Sequence, residues 1–126
     1  MRFMIIVKAT ADSEAGVMPP ASLLAQMGVF HEDLARAGVL LDGAGLKASV
    51  HGWRVGIAAD GQRRILDGPF AETKELIAGY TLIQVRSRDE ALEWSRRYPN
   101  PTLHAGACEI EVRQLFEAED FASINI

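Results

Sequence analysis

The chain has 126 residues, a length that allows one domain with a single hydrophobic core. Hydrophobic residues make up 48% of it and charged residues 24%, a composition that excludes intrinsic disorder of the whole chain. Lysine and arginine number 13 against 17 aspartates and glutamates, so the net charge is −4 and the broad basic surface that direct nucleic-acid binding needs is missing.

Cysteine usage and the N-terminal sequence indicate the compartment. Cys108 is the single cysteine, so it cannot form an internal disulfide, and we expect it to be a small buried hydrophobic residue. The apolar run at residues 3–7 is far too short for a secretory signal or a membrane span. We therefore expect a reduced, cytoplasmic protein that contacts no membrane.

The first part of the chain predicts a strand followed by a helix. Residues 3–7 (Phe-Met-Ile-Ile-Val) favour a strand and are apolar on both faces, which is typical of a central strand. From Ser22, apolar residues recur at helical spacing until Gly38, which supplies a C-terminal stop. Pro19 and Pro20 stand where this helix begins, since proline is tolerated in a first turn.

Loops and a hairpin are predicted around and after this helix. The polar residues 12–16 are interpreted as a flexible link, and residues 42–45 (Asp-Gly-Ala-Gly) as a glycine-rich turn. Residues 53–58 alternate between apolar and other side chains, and residues 63–66 return antiparallel to them after the strong hairpin signal Asp60-Gly61.

The second half predicts two further strands with a helix between them. Residues 80–85 are again apolar on both faces, as in a central strand. Ser87 and Glu90 have the spacing of a capping box, which starts a helix that Pro99 ends. Residues 110–113 alternate between apolar and charged side chains, as in a strand with one wetter face.

These elements predict an α+β fold, most simply a ferredoxin-like antiparallel sheet with two helices on one face. Two strands, at residues 3–7 and 80–85, are apolar on both faces, so something must also cover the face without helices. We expect a second copy of the chain to do so, in a homodimer. A single domain is predicted over residues 1–115, with a C-terminal tail at 116–126.

Residues 67–75 (Asp-Gly-Pro-Phe-Ala-Glu-Thr-Lys-Glu) hold the densest cluster of charged and turn residues. The carboxylates of Asp67, Glu72 and Glu75 and the ammonium of Lys74 could present acid, base and cation to one small ligand. They could equally form a self-satisfied loop, in which turn amides and neighbouring side chains pair with one another. Spacing alone leaves both interpretations open.

This nonapeptide, together with Gly79-Tyr80, resembles the signature of the YCII-related family, in the branch often called DGPF-domain proteins. The resemblance covers nearly the whole chain and implies a ferredoxin-like dimer of the α/β-barrel type. Shorter members pair a histidine on the first helix with an aspartate, but the corresponding helix position here is Met27, with His31 one turn later. Since Asp42 has no clear match to that aspartate, the dyad does not carry over.

His31 lies between Leu24 and Met27 on the apolar stripe of the first long helix. It could be a proton-transfer group that points toward the sheet, or a neutral, hydrogen-bonded histidine of the core. His51 and His104 lie in or near loops, and no two histidines have the short spacing of metal ligands. We therefore expect neither a metal nor another cofactor.

Two hypotheses of function follow. The first is a small-molecule site in a cavity between the sheet and the dimer partner, either for binding alone or for cofactor-independent proton transfer on a small polar or cyclic substrate. Its candidate catalytic residues are His31, Asp67, Lys74 and Glu75, and its candidate ligand-binding residues are Arg54, Glu72 and Tyr80. The second is a regulatory protein that acts with a sigma factor, which the resemblance implies because genes of that branch often neighbour those of alternative sigma factors.

Overall fold

The computed structural model describes residues 1–102 and 107–122. His104 lies outside these residues. The helices and strands, in chain order, are β1 (Arg2–Lys8), α1 (Ala11–Glu14), α2 (Ala21–Arg36), β2 (Leu40–Gly45), β3 (Trp53–Ile57), β4 (Arg63–Asp67), β5 (Ile77–Gln84), α3 (Arg88–Arg96) and β6 (Ile110–Gln114). Three 3-10 turns lie at Ser49–His51, Thr73–Glu75 and Ala118–Phe121.

The main sheet has four antiparallel strands in the order β2-β5-β1-β6, and β3 and β4 form a separate two-stranded sheet. This order, with α2 and α3 joining the strands, is consistent with a ferredoxin-like arrangement. The α+β class and the antiparallel sheet are confirmed. The predicted hairpin is also confirmed, but it is inserted between β2 and β5 and does not extend the main sheet.

The glycine-rich turn predicted at residues 42–45 is wrong, because these residues belong to β2. Gly43 pairs with Thr81 and Gly45 pairs with Gly79 on β5. Glycine is depleted in strands, so local propensity argues against a strand here. The β5 backbone supplies a partner that a local reading cannot see.

The core lies between the sheet and the two longer helices. Ile5 on β1, Ile83 on β5 and Leu34 on α2 are each fully buried, and Ala91 on α3 joins the same cluster. Helical spacing along α2 places Phe30 and Leu34 on the same buried face. Both helices therefore pack against the same side of the sheet.

Helix boundaries follow the sequence signals closely. Pro20 is the N-cap of α2, and beyond its end Gly38 adopts a φ of 76°, a conformation that glycine adopts without strain. The Ser87 hydroxyl accepts a hydrogen bond from the Glu90 amide at 3.1 Å and so caps α3.

Two local expectations are wrong. The polar link at residues 12–16 overlaps the short helix α1, which Thr10 caps by accepting a hydrogen bond from the Ser13 amide. Cys108 is exposed rather than buried, and its thiol donates to Asn100 Oδ1 at 3.3 Å.

Candidate functional site

A pocket of about 770 Å³ lies between α2 and the helix-facing side of β2 and β5. The end of β1, the region around α1 and the stretch that follows α3 complete its walls. The cavity predicted from the sequence lies between the sheet and a dimer partner, whereas this pocket is formed within one chain. Its lining includes His31 and Tyr98.

His31 is held by both nitrogens of its ring. Nδ1 lies 2.8 Å from the Met27 carbonyl oxygen, and Nε2 lies 2.8 Å from Thr81 Oγ1. A carbonyl oxygen can only accept, so Nδ1 carries the proton in the neutral ring, and Nε2 then accepts from the Thr81 hydroxyl. The position of the ring therefore assigns its tautomer.

Thr81 connects His31 to a second titratable group. Its side chain is fully buried and lies close enough to Tyr98 to affect the pKa of that phenol. Burial raises the pKa of Tyr98, and the hydrogen bond to Thr81 offsets part of that rise. Thr81 therefore lies behind the pocket, hydrogen-bonded to His31 and close to Tyr98, and both of these residues line the pocket.

Gly43 makes room for the imidazole. A Cβ atom at this position would lie 2.9 Å from His31 Nε2, which is closer than real Cβ contacts allow. A side chain at residue 43 would therefore displace the ring from Thr81. The glycine that argues against a strand in the sequence is required by the geometry of this site.

The structure separates Tyr80 and Asp42 from His31. Side chains alternate along a strand, so Thr81 faces α2 while Tyr80 faces the opposite side of the sheet. There the Tyr80 hydroxyl donates to Asp42 Oδ2 at 2.9 Å, and this hydrogen bond raises the pKa of Tyr80. Tyr80 contributes to the pocket wall, but its hydroxyl does not meet His31, and no His31–Asp42 pair forms.

The remaining predicted site residues lie in or beside the 67–75 segment, away from the pocket lining. Asp67 ends β4, Glu72 precedes the turn Thr73–Glu75, and that turn contains Lys74 and Glu75. Within the described part of the chain, none of these four side chains forms an ion pair. The self-satisfied network of charges that the sequence allows is therefore not formed.

The uncharged part of this segment is anchored by contacts with Ser49. A Cβ atom on Gly68 would lie 1.9 Å from the Ser49 carbonyl oxygen, so the two backbones are in close contact. The Phe70 amide donates to Ser49 Oγ at 3.0 Å, and the Ser49 amide in turn donates to Glu14 Oε1 at 2.9 Å. The Arg54 guanidinium lies over the Phe70 ring at 3.9 Å, as in a cation–π contact.

Residues 1–102 and 107–122 contain neither a cluster of metal-ligating side chains nor a membrane-spanning helix. Over these residues, no group of three or more histidine, cysteine, aspartate or glutamate side chains could hold a metal ion. Across the same residues, every helix is too short or too polar to cross a membrane. The absence of a cofactor remains a prediction.

The fold and the site define a small α+β domain with a helix-covered pocket. A family model for the YCII-related domain matches residues 1–119, and the chain belongs to this family. The chain is 38% identical over 63 residues to an uncharacterized protein of Rhizobium meliloti (strain 1021), a match covering 50% of this chain and 51% of that protein. It thus spans about half the length of the curated relative that it matches.

Among solved structures, the chain is similar to TftG, the 5-chloro-2-hydroxyhydroquinone dehydrochlorinase from Burkholderia phenoliruptrix AC1100, in its complex with 2,5-dihydroxybenzoquinone. The TM-score is 0.49 and the sequence identity 16%, over 95% of this chain and 98% of that chain.

Sequence reasoning missed Thr81, Tyr98 and Gly43. Thr81 stands in an apolar strand, where a lone threonine carries no functional signal. Tyr98 fits the apolar face of the predicted helix, so its sequence position gives no reason to assign it to a functional site. The available signal was Thr81 itself, a polar residue on the buried face of a central strand, because buried polar groups require hydrogen-bond partners.

Proposed function

We propose that this protein binds a small molecule in the pocket between α2 and the sheet and exchanges a proton with it through His31, without a bound cofactor. The observation that supports this proposal is the fixed orientation of the imidazole, with Nδ1 held by the Met27 carbonyl and Nε2 held at Thr81. General acid–base catalysis requires a group positioned in this way.

The contact with Thr81 suits both protonation states of His31, because a hydroxyl can donate or accept. In the neutral ring, the Thr81 hydroxyl donates to Nε2. When Nε2 takes up a proton, that hydroxyl turns away and the new N–H donates to Thr81 Oγ1. The Thr81 hydroxyl proton then points away from the imidazole, so Nε2 and Thr81 Oγ1 remain hydrogen-bonded to each other in both protonation states.

Proton exchange between the solvent and the ligand tests this proposal. We would incubate the protein in D2O with a panel of enolisable cyclic ketones and follow deuterium uptake at the acidic carbon by NMR. We expect at least one compound to exchange faster than in buffer, and His31→Gln to lower that enzymatic rate by about 10² to 10⁴ fold.

The matched control is His51→Gln, since His51 is exposed and lies outside the pocket lining. This variant should exchange the ligand at the wild-type rate. Equal rates in both variants, or no exchange above buffer with any compound, would contradict proton transfer by His31.

We also propose a homodimer of the α/β-barrel type and membership of the DGPF branch. In support of the dimer, Met4, Ile6 and Leu82 lie on the sheet face opposite the helices and are only half-buried. Catalytic or ligand-binding roles for the charged side chains of the 67–75 segment, and for Arg54, remain predictions.

The regulatory alternative has one supporting observation. The apolar face of the β3–β4 hairpin is open, with Trp53 63%, Ile57 60% and Ile65 59% exposed. An exposed apolar ridge of this kind is the feature that an interaction protein needs. A sigma factor as its partner remains a prediction.

A further inference from the structure

We infer that the apolar face of the β3–β4 hairpin is an interface with a second copy of this chain. The two hairpins pack face to face about a two-fold axis that runs across the strands. This surface lies outside the pocket lining, so the inference does not depend on the proposed function. It assigns to a second copy the same face that the regulatory alternative leaves open for a sigma factor.

Strand pairing defines the face, since residues directly opposite each other on antiparallel strands have side chains on the same side. Three such pairs make up the hairpin face: Val55 and Ile65 at the centre, Trp53 and Asp67 at one end, and Ile57 and Arg63 at the other. The hairpin face therefore has an apolar middle, with a carboxylate at one end and a guanidinium at the other.

The apolar side chains of the hairpin face are open to solvent. Val55 is 44% exposed, and the exposure of Trp53, Ile57 and Ile65 is higher still. Among the described strands, β3 and β4 pair only with each other. A two-stranded hairpin is marginally stable in water by itself and gains stability when its apolar face is packed. A partner on this face would therefore stabilise the hairpin and remove apolar surface from water.

The two charged residues of the hairpin face have no ionic partner within the described chain. Over residues 1–102 and 107–122, neither Arg63 nor Asp67 forms an ion pair, and both are exposed. They begin and end β4, so their backbones are about 13 Å apart at the rise of a strand. One copy therefore carries both halves of an ion pair at positions where they do not meet.

A two-fold axis across the strands brings these opposite charges together. Such an axis reverses the strand direction and places β4 of one copy over β4 of the other. Arg63 of each copy then faces the partner's Asp67, and Trp53 of each copy faces the partner's Ile57. Since a two-fold axis makes every contact twice, the interface has two ion pairs at the ends of a continuous apolar centre. The face is therefore complementary to itself in charge and in hydrophobicity.

The other face-to-face orientation is unfavourable. A two-fold axis along the strands would place β3 of one copy over β4 of the other. The Trp53 ring would then cover the partner's Asp67, and Ile57 would cover the partner's Arg63. Covering a charge with an apolar side chain costs free energy unless the charge is paired. Charge complementarity therefore selects the axis across the strands.

Sedimentation equilibrium of charge-reversal variants tests this orientation. Arg63→Asp alone and Asp67→Arg alone place like charges opposite each other, and each should raise the dissociation constant between copies about tenfold or more. The double variant restores opposite charges with their places exchanged, so its dissociation constant should return close to the wild-type value. Arg64→Asp is the matched control, because Arg64 is exposed and pairs with Gly56 on the other face of the hairpin. It should leave the constant unchanged.

Ile65→Asp tests the apolar centre and distinguishes this interface from the homodimer proposed on the main sheet. The new carboxylate would lie against that of the partner, so the mass of the assembly should fall to half the wild-type value. The fall is from dimer to monomer, or from tetramer to dimer where the main sheet also pairs two copies. Circular dichroism should show that the variant keeps its fold, since Ile65 is exposed.

Two results would overturn the inference. A wild-type mass that Ile65→Asp does not change across micromolar concentrations would exclude a second copy from the hairpin face and leave that face to a different protein. Single charge reversals without effect, or a double variant that does not recover association, would exclude the orientation in which Arg63 faces the partner's Asp67.

Discussion

Replacing Ile83 with alanine is expected to lower the free energy of unfolding by about 2 to 5 kcal/mol. Ile83 is fully buried on β5, where it packs in the core cluster with Phe3 and Leu34. Truncation loses the transfer free energy of the removed methyl and methylene groups and leaves a cavity that close-packed neighbours fill only in part. Urea denaturation monitored by circular dichroism measures the change.

The same strand offers the control for this substitution. Ile77 also lies on β5 but is 39% exposed, so Ile77→Ala removes less buried surface and leaves no enclosed cavity. It should cost clearly less than Ile83→Ala. Equal losses in the two variants would contradict a core centred between β5 and α2.

Replacing Gly68 with alanine should cost about 1 to 3 kcal/mol or more, the range for an added methyl group that cannot be accommodated. Its Cβ would lie 1.9 Å from the Ser49 carbonyl oxygen. A backbone carbonyl cannot move aside as a flexible side chain can, so the contact between the 67–75 segment and Ser49 must open. That opening would also strain the hydrogen bond from the Phe70 amide to Ser49.

Gly45→Ala is the control for Gly68→Ala, since a Cβ on Gly45 meets nothing within 4 Å. We expect the control to change stability by less than about 0.5 kcal/mol, as for substitutions that touch no special feature. Thermal melts of the two variants provide the comparison. A Gly68→Ala protein as stable as the control would show that the segment is not anchored at Ser49.

Elements with strong periodic or capping signals could be predicted from the sequence. The apolar run of β1, the helical spacing of α2 and the Ser87 cap of α3 each act within a few residues, so a local reading detects them. β2 could not be predicted, because Gly43 and Gly45 argue against a strand and only the distant β5 backbone stabilises one. Pairing with the distant strand β5 outweighed the low strand propensity of these glycines.

The same distinction between local and long-range signals applies to the residues of the candidate site. His31 could be singled out from its place on the apolar stripe of α2, a local property. Its hydrogen-bond partner Thr81 is 50 residues away, and their contact depends on how α2 packs over β5. The density of charge in the 67–75 segment is a sequence property that carries no information about position relative to the pocket.

The central claim is that the neutral form of His31 carries its proton on Nδ1 and accepts a hydrogen bond from Thr81 at Nε2. Nitrogen-15 NMR of the histidine side chains measures this directly, because protonated and unprotonated ring nitrogens have well-separated chemical shifts. We expect the neutral His31 ring to carry its proton on Nδ1, and Thr81→Val to change the Nε2 signal while His51 keeps its spectrum. A neutral His31 with its proton on Nε2, or a spectrum unchanged by Thr81→Val, would contradict the account.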